Sequence, residues 1–266
     1  MMDSKKIYFL SGLPRSGTTL FSSILNQNPD ICATPNSPLC QIMWDTYQNI
    51  LQTEQFQVFA DLPYLDRVMK GISKSAYENK TETYIFDKCR DWGNPYNLDM
   101  IKRHITQEPK FVLLVRDILD ILASFVTLLN KPHQNTSYYD NEIPYYYREL
   151  NDARCDFLMK PDGLIDRSLW SIKNVMEKSN FILITYDELI ESPEATTKAV
   201  CDFMEIPDFK YDFSNIQNKY PEDDKMFGLN GFHEIRKTIS KTSKPYQDVL
   251  SDYVIQKYKN YEIWEK

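Results

Sequence analysis

Lys6-Ile7-Tyr8-Phe9-Leu10-Ser11-Gly12-Leu13-Pro14-Arg15-Ser16-Gly17-Thr18-Thr19-Leu20 runs from a short apolar stretch into a glycine-bounded, hydroxyl-rich turn. It reads as a strand, an anion-binding loop and the first turn of a helix. The first N–H groups of a helix have no intrahelical partner and lie at the positive end of its dipole, so a phosphate or sulfate is accommodated there. Outward from this stretch, apolar runs at 7–11, 84–87, 111–115 and 181–185 read as buried parallel strands. Helical patterns at 18–26, 38–52, 62–78, 118–129, 144–159, 167–178 and 193–204 fall among them. Two of these begin at Pro144 and Pro193, and proline suits a helix start.

A strand-helix-strand order implies a parallel sheet with right-handed crossovers, and ligands in such sheets bind beyond the strand C-termini. The loop nearly matches the P-loop spacing of glycine, four residues, then glycine-lysine-serine or threonine. Thr18 stands where a nucleotide triphosphatase carries its lysine, and the cation lies inside the loop as Arg15. The expected fold class is therefore α/β: a three-layer, P-loop-like fold with a central parallel sheet flanked by helices. The 266 residues suit one such domain, 1–266.

A net charge of −7 provides no global field for nucleic acid or an anionic membrane, so any anion site must be built locally. The first apolar run is too short for a secretory h-region or a membrane span, which makes a cytoplasmic protein the expectation. Five cysteines without a C-x-x-C pair fit reduced thiols better than disulfides or zinc. The polar stretches 131–141 and 211–225 read as long loops, candidates for acceptor-side or lid segments.

A second stretch, Phe111-Val112-Leu113-Leu114-Val115-Arg116-Asp117-Ile118-Leu119-Asp120-Ile121-Leu122-Ala123-Ser124, ends a buried strand in arginine. In the following helix, Ile118, Ile121, Leu122, Phe125 and Leu129 form a core stripe, with Asp117, Asp120 and Ser124 on its flank. Arg116 and Ser124 are placed to converge on one phosphate, the first with a planar fork and the second with a hydroxyl. The plain alternative is a salt bridge for Arg116 and a solvated face for Ser124.

Together the two stretches resemble the sulfotransferases that use 3′-phosphoadenosine 5′-phosphosulfate (PAPS). The resemblance gives Pro14, Arg15, Ser16, Gly17, Thr18 and Thr19 the role of holding the 5′-phosphosulfate, and Arg116 with Ser124 that of holding the 3′-phosphate. Tyr84-Ile85-Phe86-Asp87-Lys88 is similar to the family's strand ending in a lysine near the sulfuryl group, and Ile184-Thr185-Tyr186-Asp187-Glu188-Leu189 to its Y-E-D-L segment. Gly231-Phe232-His233-Glu234-Ile235-Arg236-Lys237 is similar to a basic C-terminal loop that folds over the cofactor. The implied activity is sulfuryl transfer from PAPS to a hydroxyl or amine of a small-molecule or peptide acceptor, leaving PAP as product. Arg15 and Lys88 are the expected catalytic cations, and Arg116, Ser124, Tyr186, Arg236 and Lys237 the further cofactor contacts.

The chemistry suits these residue types. Negative charge grows on the departing phosphate oxygen, where Arg15, Lys88, the loop amides and the Thr18 and Thr19 hydroxyls would stabilise it without a metal. A kinase instead manages a triphosphate, usually with Mg²⁺, a P-loop lysine and an acidic strand end. This chain lacks that lysine, and Asp117 comes one position late. A nucleotide kinase or triphosphatase with an atypical loop and a catalytically degenerate PAPS-binding protein remain the rival readings. Tyr186 could equally pack, and Arg236, Lys237 and Lys241 could equally form a solvated face.

The general base is not legible. Protein-tyrosine sulfotransferases carry a glutamate where this chain has Asn36, and cytosolic phenol and steroid sulfotransferases a histidine where it has Arg90. Neither asparagine nor arginine accepts a hydroxyl proton at neutral pH. His104, His133 and His233 show no metal-ligand spacing and read as surface or helix-end residues. Another carboxylate such as Asp91 or Asp45, or His133 from a loop, is left as the candidate.

Overall fold

The computed structural model describes residues 5–131, 136–240 and 244–261. Five parallel strands form one sheet in the order β2-β3-β1-β4-β5: β1 (Lys6–Gly12), β2 (Ile31–Asn36), β3 (Tyr84–Lys88), β4 (Lys110–Val115) and β5 (Asn180–Thr185). The helices are α1 (Thr18–Leu25), α2 (Leu39–Gln52), α3 (Glu54–Val58), α4 (Leu62–Ala76), α5 (Pro95–His104), α6 (Ile118–Leu129), α7 (Tyr138–Asn141), α8 (Asn151–Leu158), α9 (Leu164–Lys178), α10 (Tyr186–Glu191), α11 (Pro193–Met204) and α12 (Asp252–Tyr258).

The pleat sorts alternate side chains onto two cores. Phe9, Ile85, Phe111, Leu113 and Val115 pack with the buried stripes of α2, α4, α6, α8 and α9 on one face. Tyr8, Leu10, Phe86, Val112 and Leu114 pack with α1 and α11 on the other. The result is three layers of helix, sheet and helix, the α/β class expected from the sequence. Because β1 has β3 on one side and β4 on the other, the C-terminal end of β1 opens at the reversal of strand order, where α/β sheets bind ligands. Among the described residues no helix is long and apolar enough to cross a membrane.

Two elements depart from the sequence reading. β2 was not anticipated because Pro35 interrupts it. It is an edge strand, where a missing N–H is tolerated, and its register with β3 shifts between Ala33 and Asn36. There the Thr34 hydroxyl accepts the Lys88 N–H at 2.9 Å, replacing a ladder bond. The single helix expected over 144–159 is instead a 3₁₀ turn at Tyr145–Tyr147 followed by α8. Glu149 between them has φ 66°, and Arg148 closes the turn by donating to the Ile143 and Asn141 carbonyls at 3.1 Å each. Beyond these two, the sequence reading also lacks α3, α5, α7, α10 and α12, and α7 lies within the stretch 131–141 expected as a loop. The segment 211–223 is irregular, as expected of the loop over 211–225, with a short 3₁₀ turn at Asp224–Phe227.

Candidate functional site

The loop after β1 is shaped by close approach and by left-handed backbone. A Cβ on Gly12 would stand 2.3 Å from the Leu114 carbonyl oxygen, so only glycine lets β1 run this close to β4 at its end. Gly17 caps α1 with φ 90° and offers no side chain to the first-turn amides, which leaves them available to an anion. Arg15 itself has φ 61°, a conformation uncommon outside glycine and found preferentially at functional sites. Ser16 is turned inward, its hydroxyl donating to the Leu13 carbonyl at 2.7 Å, so it braces the loop. Pro14, Arg15, Gly17, Thr18 and Thr19 line a cavity of about 380 Å³, the scale of a small-ligand site.

Arg116 follows β4 at the floor of this cavity and is only 7% exposed. Its Nη1 donates to the Arg15 carbonyl at 3.1 Å, and its guanidinium lies 4.2 Å from the centroid of the Tyr186 ring. Asp120 forms a long ion pair with the guanidinium, Oδ2 lying 3.9 Å from Nε, so the salt bridge expected as the plain alternative is present but too long to be a hydrogen bond. Among the described residues Nε and Nη2 are thus buried donors without a hydrogen-bond partner. A guanidinium withdrawn from water with two idle donors is a costly arrangement unless something acidic completes it, and a phosphate matches its fork. Asp117 is not a ligand for such a group, since its carboxylate caps α6 by accepting the Asp120 N–H at 3.0 Å. Tyr186 is fixed at the start of α10 by the Thr185–Glu188 capping box and lines the same cavity.

Ser124 is paired with Arg15 and not with Arg116: Arg15 Nε donates to its Oγ at 3.1 Å. Arg15 Nη1 also donates to the Phe232 carbonyl, and the guanidinium sits 5.4 Å from the centroid of the Phe232 ring. Burial and the neighbouring Arg116 push the Arg15 guanidinium below its usual range. Arg15, Arg116, Ser124 and Tyr186 therefore make one basic corner, and Arg15 and Lys88 line the same cavity.

Lys88 lines the same cavity. It ends β3 with its backbone held by β2 and its neighbour Cys89 bonded to β1. Its ammonium donates to Thr19 Oγ1 at 3.4 Å and to Glu222 Oε1 at 3.0 Å. Burial pushes the Lys88 amine below the ordinary lysine range, against the opposing pull of Glu222. Burial alone would raise the Glu222 carboxyl, but Lys88, the Asn36 amide and His233 together hold it below the ordinary carboxylate range. Behind Lys88, the buried Asp87 accepts hydrogen bonds from Trp92 Nε1 at 2.7 Å, from Ser37 Oγ at 2.8 Å and from the Tyr77 hydroxyl, which anchors the strand end.

Glu222, Asp224 and His233 were not singled out from the sequence as site residues. They come to Asn36 and Lys88 from far along the chain; the sequence signals were the polar loop over 211–225 for Glu222 and Asp224, and the Gly231–Lys237 stretch for His233. His233 is no surface residue: its side chain is 12% exposed, and its Nδ1 lies 2.6 Å from Asp224 Oδ1 and 3.1 Å from Glu222 Oε2. His104 ends α5 and meets Asp66 at 3.0 Å, in line with a helix-end histidine. Arg236 is exposed and lines the cavity, whereas Lys237 lines a neighbouring groove of about 590 Å³. Arg90 lines the cavity, and Asp45 and Asp91 do not. His133 and Lys241 lie outside the described residues.

A family model described as the sulfotransferase family matches residues 8–210. A Caenorhabditis briggsae protein, named as a candidate protein-tyrosine sulfotransferase, is 22% identical over 215 residues, covering 76% of this chain and 66% of that protein's length. Among solved structures, the sulfotransferase domain from the curacin biosynthetic pathway aligns with TM-score 0.57 at 16% identity, over 100% of this chain and 94% of that one. Mouse sulfotransferase SULT7A1, solved in complex with PAP, aligns with TM-score 0.55 at 14% identity, over 96% of this chain and 81% of that one.

Proposed function

From the chain's membership of the sulfotransferase family, we propose that it acts as one domain transferring a sulfuryl group from PAPS to a hydroxyl or amine acceptor. The observation that carries this reading is Arg116, whose buried Nε and Nη2 lack hydrogen-bond partners among the described residues, beside a cavity floored by the glycine-bounded loop. A 3′-phosphate would supply the missing acceptors, and the crystallisation of mouse SULT7A1 with PAP supports the assignment. When bound, PAPS supplies an electrophilic sulfur whose leaving group is a phosphate.

The chain's residues divide the work. Arg15, Arg116 and Ser124 hold the 3′ side, with Tyr186 stacked on Arg116 and Arg236 at the exposed rim. The loop amides from Gly17 to Thr19 hold the 5′ side at the start of α1. Lys88, poised on Thr19, is the cation aimed at negative charge that develops during transfer, and such a donor matters most in the transition state. No residue in this scheme requires a metal, and a metal-independent in-line displacement is the mechanism proposed. The protein works in the cytoplasm under this reading, where its five cysteines stay reduced.

Calorimetric titration with PAP, AMP and ATP, each with and without Mg²⁺, tests the donor. PAP is expected to bind tightest and without Mg²⁺. Preference for ATP with Mg²⁺, or no discrimination between PAP and AMP, would replace the reading with phosphoryl transfer or another nucleotide chemistry.

A further inference from the structure

Resting on the sulfotransferase reading above, we propose that His233, oriented by Asp224, is the general base that this chain supplies from its C-terminal segment. The position that ends β2 is Asn36, which has no basic lone pair to offer, and Arg90 after β3 is a cation. Both line the cavity beside Lys88, so the acceptor side of the site has no base from the elements of the sheet. His233 lines that same cavity and also the neighbouring groove, whose lining includes Ile216, Glu222, Asp224, Leu229 and Lys237, and so stands on the wall between them.

Asp224 grips His233 at two points. Its Oδ2 accepts the His233 backbone N–H at 2.9 Å and its Oδ1 faces the ring Nδ1 at 2.6 Å. Two carboxylates, Asp224 and Glu222, face Nδ1, so in the neutral ring the proton is assigned to Nδ1, which leaves the Nε2 lone pair for an acceptor. The ring is held in place by the edge of Phe232 at 4.5 Å between centroids and by Phe227 at 6.2 Å. Among the described residues Nε2 meets only the Asn36 side-chain amide, at a long 3.4 Å, a contact that an incoming hydroxyl can replace.

Glu222 is the rival base, and its own contacts exclude it. Oε1 accepts the Asn36 N–H and the Lys88 ammonium, each at 3.0 Å, and Oε2 accepts the Asn36 amide at 2.8 Å and faces His233 Nδ1 at 3.1 Å. Three donors, the Asn36 N–H, the Asn36 side-chain amide and the Lys88 ammonium, bond the carboxylate and hold it in its charged form, below the ordinary carboxylate range, which makes it a weak base. Its role is to position: it joins Lys88 and His233, the cation of the leaving-group side and the base of the acceptor side. In the transfer step His233 Nε2 takes the proton of the acceptor O–H as that oxygen bonds to sulfur. The sulfur–oxygen bond to the phosphate breaks, and its electron pair stays on the phosphate oxygen facing Lys88.

The test measures PAP released from PAPS with phenol, ethanolamine or water as acceptor, alongside calorimetric binding of PAP. His233→Ala is expected to lower release about 10²–10⁴-fold, the usual contribution of a general base, with PAP affinity within about threefold of wild type. Free imidazole should restore part of the lost rate in His233→Ala. Asp224→Asn, which disturbs only the orientation of the ring, should lose less and gain nothing from imidazole. Unchanged release in His233→Ala overturns the proposal, as does a loss of turnover that follows a parallel loss of PAP binding and resists imidazole. Wild-type protein that binds PAP but releases none with any acceptor refutes catalysis by His233, while failure to bind PAP at all refutes the underlying sulfotransferase reading.

Discussion

Replacing Arg116 with alanine removes two buried donors that have no hydrogen-bond partner among the described residues, and the size of the loss follows from that geometry. A hydrogen bond between charged partners contributes about 1.5–3 kcal/mol, so two of them contribute about 3–6 kcal/mol to holding a 3′-phosphate. At 25 °C this is a preference of about 10²–10⁴-fold for PAP over AMP, which differs only by that phosphate. Desolvation of the guanidinium is already complete in the folded protein, because Arg116 is 7% exposed, which favours the upper half of the range. Arg116→Ala should erase most of the preference. AMP affinity should fall only slightly, through the lost bond from Arg116 Nη1 to the Arg15 carbonyl that steadies the loop. Arg116→Lys should recover part of the loss, as a point charge without the fork. Calorimetry on the three proteins with PAP and AMP decides the matter. If wild type bound the two nucleotides equally, or if Arg116→Ala weakened both by the same factor, the idle donors would not be a 3′-phosphate site.

Lys88→Ala should lower turnover about 10²–10³-fold with PAP affinity nearly unchanged, since its charge is needed mainly in the transition state; single-turnover kinetics beside calorimetry separate the two effects. Because burial pushes the Lys88 amine below the ordinary lysine range, its charge is lost earlier than usual as pH rises. The rate should therefore fall on the alkaline side at a pH below that of a free lysine, and Lys88→Arg, though slow, should lack that fall. Away from the site, Arg154 donates to Asp140 at 2.7 and 2.8 Å in a buried pair, with Nη1 on Asn130 at 2.7 Å. Arg154→Leu strands the Asp140 charge and should cost about 3–5 kcal/mol, on the order of 10 °C in melting temperature by scanning calorimetry. Burial raises the Asp140 carboxyl, but its bonds to Arg154 and Ser137 leave it net below the usual range. The stability it contributes is thus present above the unfolded carboxylate pKa of about 3.9 and lost as pH falls through the lower folded value. Arg154→Leu should show a weaker acid loss than wild type.

The corner built from β1, the loop, α1, β4 and α6 was legible because its logic is local. An apolar run, a glycine turn and a strand-end arginine before an amphipathic helix each declare themselves within about two turns of chain. β2 hid behind Pro35, because an edge strand with a shifted register does not follow the alternating pattern that marks strands in a sequence. The break near Glu149 depends on a left-handed residue that is not glycine, for which the sequence carries no marker. The pairing of Arg15 with Ser124 is a choice of side-chain direction that residue spacing does not specify. The cluster of Asn36, Lys88, Glu222, Asp224 and His233 was hidden for a different reason. Glu222 and His233 lie 186 and 197 residues from Asn36, on a segment without regular structure, so no periodicity announces where they land.

The most direct test of the account is a single-turnover assay with sulfur-labelled PAPS in the presence of a metal chelator, following label and PAP together. The account predicts that wild type releases PAP and labelled product in equal amounts, and that Lys88→Ala does so on the order of 10²–10³-fold more slowly at the same PAPS occupancy. Release that required a divalent cation, or proceeded unchanged without Lys88, would contradict it.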